Sequence, residues 1–200
     1  MPAIVIATGN RHKAKELQQL LALRGIRWRT LAGYPHLRPV RENGGSFEAN
    51  AIKKAVAVAK ATGLLALADD SGLEVEALGW KPGVRSARFA GAHGDDGANN
   101  RKLLRLLRDV PMSRRRARYR CALALASASG LIAVAHGAWT GRIALQPKGQ
   151  GGFGYDPLFL VPRFGKTVGE LPALVKQRFS HRAAAARRLR ARLTRLLAGC

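Results

Sequence analysis

Asp69 and Asp70 stand side by side in a chain that has only twelve Asp and Glu against thirty-five Lys and Arg. Adjacent carboxylates suit two kinds of chemistry. They offer hard oxygen ligands to a divalent cation such as Mg²⁺, which usually shares its shell with substrate phosphates. One of them can instead take a proton from water as general base. The pair follows the apolar run 64–68 and precedes Ser71-Gly72, a pattern that predicts a buried strand ending in a tight turn, where open α/β sheets place their chemistry. Turn chemistry alone, with Asp and Ser capping their own backbone, also accounts for Asp-Asp-Ser-Gly.

A second candidate lies near the start of the chain. Residues 4–7 are apolar, Thr8-Gly9-Asn10 reads as a turn, and a helix follows with Leu17, Leu20 and Leu21 on one face. Backbone N–H groups at such a helix start point at an anion. Arg11, His12 and Lys13 occupy the first turn, against the usual preference for acids there, and a bound polyphosphate would explain them. Two further matches carry no chemistry. GQGGFG at 149–154 imitates a dinucleotide fingerprint, but Pro157 forbids a helix directly after it and no acid stands at the expected distance. Gly165-Lys166-Thr167 imitates the tail of a P-loop, but Leu160 occupies the place of the first glycine.

The elements that must position these residues alternate early in the chain. The first helix is expected to stop at Gly25, and 26–31 alternates like a half-buried strand. A helix from about Ser46 to Gly63, with Ala51, Ala55, Val58 and Ala59 as its buried stripe, delivers the strand that carries Asp69. Glu42 lies in the loop before it. After a turn and helix start at 94–100 and a short amphipathic helix at 101–107, two antiparallel strands are expected at 119–127 and 131–140. Thr167 and Glu170 are spaced as a capping box for a helix reaching toward Arg178. Ser180 caps a last basic helix with Leu189, Leu193, Leu196 and Leu197 spaced for packing.

Composition bounds the rest. Two hundred residues fit one domain, or two closely packed lobes. No apolar run approaches the roughly eighteen residues of a membrane span and no secretory leader is visible, so a soluble cytoplasmic protein is expected. Cys121 and Cys200 have no metal-ligand spacing and imply no disulfide framework. Most of the net charge of +23 falls in residues 101–200, with twenty-one Lys and Arg against Asp109, Asp156 and Glu170. Such a field attracts polyanions, whether a phosphate-rich small substrate or nucleic acid, and a solvated basic face would look the same. The densest run, SRRRARYR at 113–120, leads straight into apolar residues, so a loop entering a strand explains it as well as a binding patch does.

Six segments in order resemble the inosine triphosphate pyrophosphatase family: ATGNRHKAKEL (7–17), ENGGSFEANAIKKA (42–55), ADDSGLEVEALGWKPGVRSARFAG (68–91), GGFGYDPLF (151–159), GKTVGEL (165–171) and SHRAAA (180–185). The family usually has Glu-Lys-Asn where Val175-Lys176-Gln177 stands, Tyr at Arg85 and Ala at Gly169. The resemblance implies an α/β fold with a mixed curved central sheet flanked by helices, and two lobes with the active-site cleft between them. It implies a single nucleotide pyrophosphatase domain over 1–200, usually a homodimer, that hydrolyses non-standard purine nucleoside triphosphates (dITP, ITP, XTP) to the monophosphate and pyrophosphate. By the same resemblance Thr8, Gly9, Asn10, Arg11, His12 and Lys13 cradle the triphosphate. Glu42, Asp69 and Asp70 hold Mg²⁺, and Asp70 prepares water for attack at the α-phosphorus. Ser71, Phe153, Gly154, Tyr155, Asp156, Lys176, His181 and Arg182 match the remaining substrate contacts. Phe153 or Tyr155 is expected to stack on the base, with His181 and Arg182 donating to a purine O6. Two other readings compete: a pyrophosphatase for modified pyrimidine nucleotides, and a basic nucleic-acid-binding protein. The second leaves Asp69-Asp70 unexplained, and no specific nucleic-acid partner and no membrane association are expected.

Overall fold

The first strand, β1 (Ala3–Ile6), is buried along almost its whole length and begins a mixed α/β sheet. The structure, a computed structural model, describes residues 2–23 and 25–198, and for 197 and 198 the backbone only. Leu197 as a packing side chain and Cys200 therefore lie outside the described residues. Strands β2 (Arg27–Thr30), β3 (Leu65–Val75), β4 (Lys81–Pro82), β5 (Arg116–Ser127), β6 (Gly130–Ile143), β7 (Phe159–Val161) and β8 (Lys166–Thr167) complete the sheet. Their order is β2-β1-β3-β5-β6-β7-β8, with β4 paired to β3. β1 runs parallel to β2 and β3, whereas β3–β4, β6–β7 and β7–β8 are antiparallel.

The chain divides into two compact units, with β3, β5 and β6 each contributing residues to both. The first comprises Met1–Asp70, Cys121–Gly137 and Arg182–Cys200. Here α1 (Arg11–Leu21) and α5 (His181–Ala198) bury Leu17, Leu21, Ala185, Leu189 and Leu193 against Ile4, Ile6, Leu67 and Leu123. The helix α2 (Phe47–Thr62) starts on Ser46, whose hydroxyl accepts from Ala49 N–H, and stops at Gly63 in a left-handed conformation, the cap pair expected from the sequence. The expected stop of α1 is displaced: Ala22, at φ +34°, closes the helix before Gly25 is reached.

The second unit comprises Ser71–Arg120 and Ala138–His181. Its core gathers Leu73, Val75, Tyr119, Trp139, Leu158 and Phe159, and α3 (Asp96–Leu106) adds Leu103. The Thr167–Glu170 capping box forms, but it closes a single turn at Val168–Glu170. Pro172 lacks the N–H that a continuing helix needs, so a separate helix, α4 (Ala173–Phe179), starts after it. The basic run 113–120 enters its strand earlier than the pattern suggests, since β5 begins at Arg116.

The largest correction falls on the acidic pair. No turn follows Asp70: β3 continues through Ser71 and Gly72 to Val75. Gly72 answers to packing instead. A Cβ there would stand 2.3 Å from Ser86 Oγ and 2.7 Å from the Gly83 carbonyl oxygen. Ser86 holds that close approach by accepting from Leu73 N–H at 2.9 Å and donating to Gly83 O at 2.6 Å. Gly72→Ala must therefore displace backbone, and is expected to lower unfolding stability by about 1–3 kcal/mol. A chemical-denaturation midpoint equal to that of the parent protein would refute this account of the glycine.

Candidate active site

Successive side chains of a strand point to opposite faces, so the continuation of β3 decides what the two aspartates can do. Each has its own partners. Asp69 is fully buried. Lys13 Nζ lies 3.0 Å from its Oδ1, Arg182 Nε donates to Oδ2 at 2.8 Å, and Cys121 Sγ stands 3.2 Å from Oδ2. Arg182, only 1 % exposed, donates through its remaining nitrogens to Glu16 and to Asp69 Oδ1. Burial alone would raise the pKa of Asp69, but Arg182 and Lys13 outweigh it and hold the carboxyl well below the usual range. Burial, with the Asp69 charge beside it, pushes the Cys121 thiol well up.

Asp70 belongs with α2 and the loop before it. Its Oδ2 accepts from Asn50 Nδ2 at 3.1 Å, and Lys54 Nζ lies 3.2 Å from its Oδ1. The same ammonium donates to Glu42 Oε1 at 2.9 Å and to the carbonyl oxygen of Asp69 at 2.7 Å. Burial lifts the pKa of Asp70 above its ordinary value despite the opposing charge of Lys54. The ammonium of Lys54 is disfavoured by burial, yet Asp70 and Glu42 raise its pKa. Three oxygen atoms thus converge on one cationic nitrogen, a donor set that fits a hard divalent cation. Asp69 joins it through its main chain, since its carboxylate is engaged by Arg182 and Lys13. Among the described residues no three of His, Cys, Asp and Glu are placed to hold an ion together, so the expected trio of Glu42, Asp69 and Asp70 carboxylates is not assembled as one cluster.

The turn before α1 takes the expected form. Thr8 Oγ1 accepts from Asn10 N–H, and Asn10 Oδ1 caps Lys13 N–H at 3.1 Å. Space around Gly9 is open, Arg11 and His12 are exposed, and the first turn contains no acid. Ser71 sits half-buried in β3, immediately after Asp70.

The second unit holds a separate polar group centred on Asp156, which is almost fully buried. It accepts from Tyr119 Oη at 3.1 Å, from Phe153 N–H at 2.9 Å and from Lys176 Nζ at 2.6 Å. The Lys176 ammonium also stands 4.0 Å from the centre of the Phe153 ring, a cation–π contact. Gly152, at φ +78°, makes this wrapping possible, because a Cβ there would fall 2.0 Å from Asp156 Oδ2. Gly154 donates to Asp96 and accepts from Asn100. His181 is buried and stacked on Tyr119, with ring centres 4.7 Å apart. Burial, with Asp156 adding to it, drives the Tyr119 hydroxyl well above its usual pKa.

The geometry separates the two aromatic candidates. Tyr155 is buried and its hydroxyl donates to Ser86 O at 2.8 Å, a structural tie, whereas Phe153 is half-buried beneath Lys176. It also separates His181 from Arg182. All three guanidinium nitrogens of Arg182 donate to Asp69 and Glu16, a carboxylate-holding arrangement. Asn50, Lys54 and Glu16 belong to the site without having been singled out in the sequence. For the first two a signal existed: they are buried polar residues four apart on the α2 face that also carries Phe47, Ala51 and Ala55.

The class is a mixed α/β protein in which an interior strand, β3, carries two buried carboxylates matched by Lys13, Arg182 and Lys54. The particular family follows from comparison: the sequence model of the Ham1 family matches residues 4–192, and the chain belongs to that family. It is 50% identical over 193 residues to a dITP/XTP pyrophosphatase of Desulforamulus reducens, covering 96% of each chain. It is 48% identical over 195 residues to a dITP/XTP pyrophosphatase of Rhodopirellula baltica, covering 97% of this chain and 94% of that one. Among solved structures, a HAM1 protein from Coxiella burnetii matches with a TM-score of 0.87 and 40% identity over 98% of this chain and all of that one. These matches name the same kind of protein as the resemblance carried by the six segments. Among the described residues no helix is long and apolar enough to cross a membrane.

Proposed function

We propose that this chain hydrolyses dITP, ITP and XTP to the monophosphate and pyrophosphate, as a single domain over residues 1–200. The observation that carries the reading is the pairing of Asp69 with Lys13 and Arg182 and of Asp70 and Glu42 with Lys54, on a strand beside the cation-rich start of α1. Cleavage of a phosphoanhydride by water asks for a base at the nucleophile and positive charge at the leaving group. Both are present. Glu42 and Asp70, with the main-chain oxygen of Asp69, would hold Mg²⁺, which would supply Lewis-acid stabilisation of phosphate charge.

The protein's own residues have the following parts. Asp70, whose pKa burial raises, takes the proton from the attacking water. Asn50 donates to its second oxygen at 3.1 Å and so helps fix the orientation of the carboxylate. The open turn Thr8-Gly9-Asn10 offers backbone N–H groups to the phosphates, with Arg11, His12 and Lys13 adding charge. Lys13 stays close to Asp69 until phosphate oxygens compete for it. Ser71 lies beside the base. For the nucleobase we assign Phe153 as the stacking ring, with Gly154, Asp156, Lys176 and His181 around it, Tyr155 supporting the loop. The protein works as a homodimer in the cytoplasm, like a nucleotide-pool enzyme.

Pyrophosphate release measured in parallel from dITP, XTP, dATP and dGTP in the presence of Mg²⁺ tests the reading. Turnover of dITP and XTP well above that of dATP and dGTP is expected. Equal rates on all four would remove the purine selectivity, and no release from any would remove the activity.

A further inference from the structure

Glu16 has no part in the chemistry just assigned, yet it accepts from Arg182, whose side chain is 1% exposed. Lys13 and Glu16 are three residues apart on α1 and so share one helix face. From that face Lys13 reaches Asp69 at 3.0 Å and Glu16 accepts from Arg182, while Arg182 bonds Asp69 at 2.8 Å. The four charges form a chain of alternating sign, Lys13–Asp69–Arg182–Glu16. Its inner members, Asp69 and Arg182, are shut off from water, with side-chain exposures of 0% and 1%, and its outer members, Lys13 and Glu16, keep 17% and 19%.

We infer that Glu16 is a positioning residue: by fixing the guanidinium of Arg182 it sets the Asp69 carboxylate, and through it the place of the Lys13 ammonium that meets phosphate. The guanidinium is a rigid planar fork, so holding it at two edges fixes its plane. Glu16 holds one edge and Asp69 the other. Because Arg182 already neutralises Asp69, Lys13 can turn onto an arriving anion without leaving a buried carboxylate bare, a cost that an unpaired buried charge would otherwise impose. Without the Glu16 oxygen the guanidinium loses one of its two held edges and can tilt about its bonds to Asp69, the carboxylate shifts with it, and Lys13 loses its fixed starting point. The inference rests on the phosphate-facing role proposed above for Lys13.

Glu16→Met and Glu16→Gln test it, since both remove the charge at equal side-chain length and only Gln keeps an acceptor oxygen. Two quantities are read: the Kd of inorganic pyrophosphate for the metal-free protein by calorimetry, and KM and kcat for dITP with Mg²⁺. Loss of a residue that orients a functional one typically costs about 10-fold to 100-fold. We expect Glu16→Met to raise Kd and KM by about 10-fold with kcat changing much less, and Glu16→Gln to stay near the parent protein. If both variants bind pyrophosphate more tightly and equally, Glu16 acts only as a negative charge and the inference fails. A lowered melting temperature with unchanged Kd and KM would make Glu16 a structural residue and would also overturn it. Should Glu16→Met not fold, Glu16→Ala carries the same comparison against Gln. Failure of the proposed function is a different result, namely no pyrophosphate from dITP with the parent protein, and the calorimetric comparison stands apart from it.

Discussion

Asp70→Asn is expected to lower kcat for dITP by about 10²-fold or more, because general base catalysis alone contributes on the order of 10² to 10⁴. The exchange keeps size and shape, removes the negative charge and the proton acceptor, and replaces one oxygen, facing either Asn50 or Lys54, by an NH2 donor. The fold is expected to survive it. Burial is the largest influence on the Asp70 carboxyl and works against its charged form, so a neutral amide at this position escapes a desolvation cost. Lys54 loses one of three partners but retains Glu42 Oε1 at 2.9 Å and the Asp69 carbonyl at 2.7 Å. Pyrophosphate release from the purified variant, set beside its thermal unfolding midpoint, reads the two effects separately. A variant that kept most of its turnover would end the assignment of Asp70 as base. Asp69→Asn offers a contrast, because it would remove the counter-charge that Arg182 and Lys13 share and is expected to damage the fold as well as the rate.

The contrast between the two aspartates also marks where sequence reasoning reaches its limit. Their scarcity in a chain with so few acids made them visible, and so did the six segments around them. Asp-Asp-Ser-Gly reads as a turn because Ser and Gly favour turns. In the structure Gly72 is a strand residue that admits Ser86, fourteen positions further on, a tertiary contact with no local trace. That one difference changes the chemistry. At a turn both carboxylates can converge on one ion, whereas along a strand they alternate between faces and acquire separate cations. Elements bounded by local chemistry, such as α2 between Ser46 and Gly63, were legible to the residue. The end of α1 and the break at Pro172 were less so, because Ala22 adopts a conformation that favours Gly and the capping box completes only one turn. Glu16 and Lys54 look like ordinary charged helix residues until the strand they face is known.

Arg182→Ala is the substitution on which structure and sequence disagree most, and its expected result follows the structure. Placed by resemblance, Arg182 would donate to a purine O6, and its loss would slow ITP far more than ATP. Placed by its hydrogen bonds, it gives all three nitrogens to Asp69 and Glu16 and has 1% exposure. Asp69 and Glu16 together raise its pKa further, against the effect of burial, so the guanidinium stays charged throughout. Removing one member of a buried, hydrogen-bonded ion pair leaves the other charge uncompensated, which typically costs about 3–5 kcal/mol. Asp69 would then depend more heavily on Lys13, 3.0 Å away, and Lys13 would be less available to phosphate. Arg182→Ala is therefore expected to be destabilised by about that amount, and its folded fraction should lose kcat/KM for ITP and ATP in the same proportion. Arg182→Lys should restore part of the stability, since an ammonium can pair with Asp69 but lacks the fork that also reaches Glu16. Unfolding midpoints and kcat/KM for both nucleotides, measured below the variant's own transition, decide the matter. If ITP slowed much more than ATP while stability held, Arg182 would be a base-reading residue after all, and selectivity would no longer rest with Phe153, Lys176 and His181 alone.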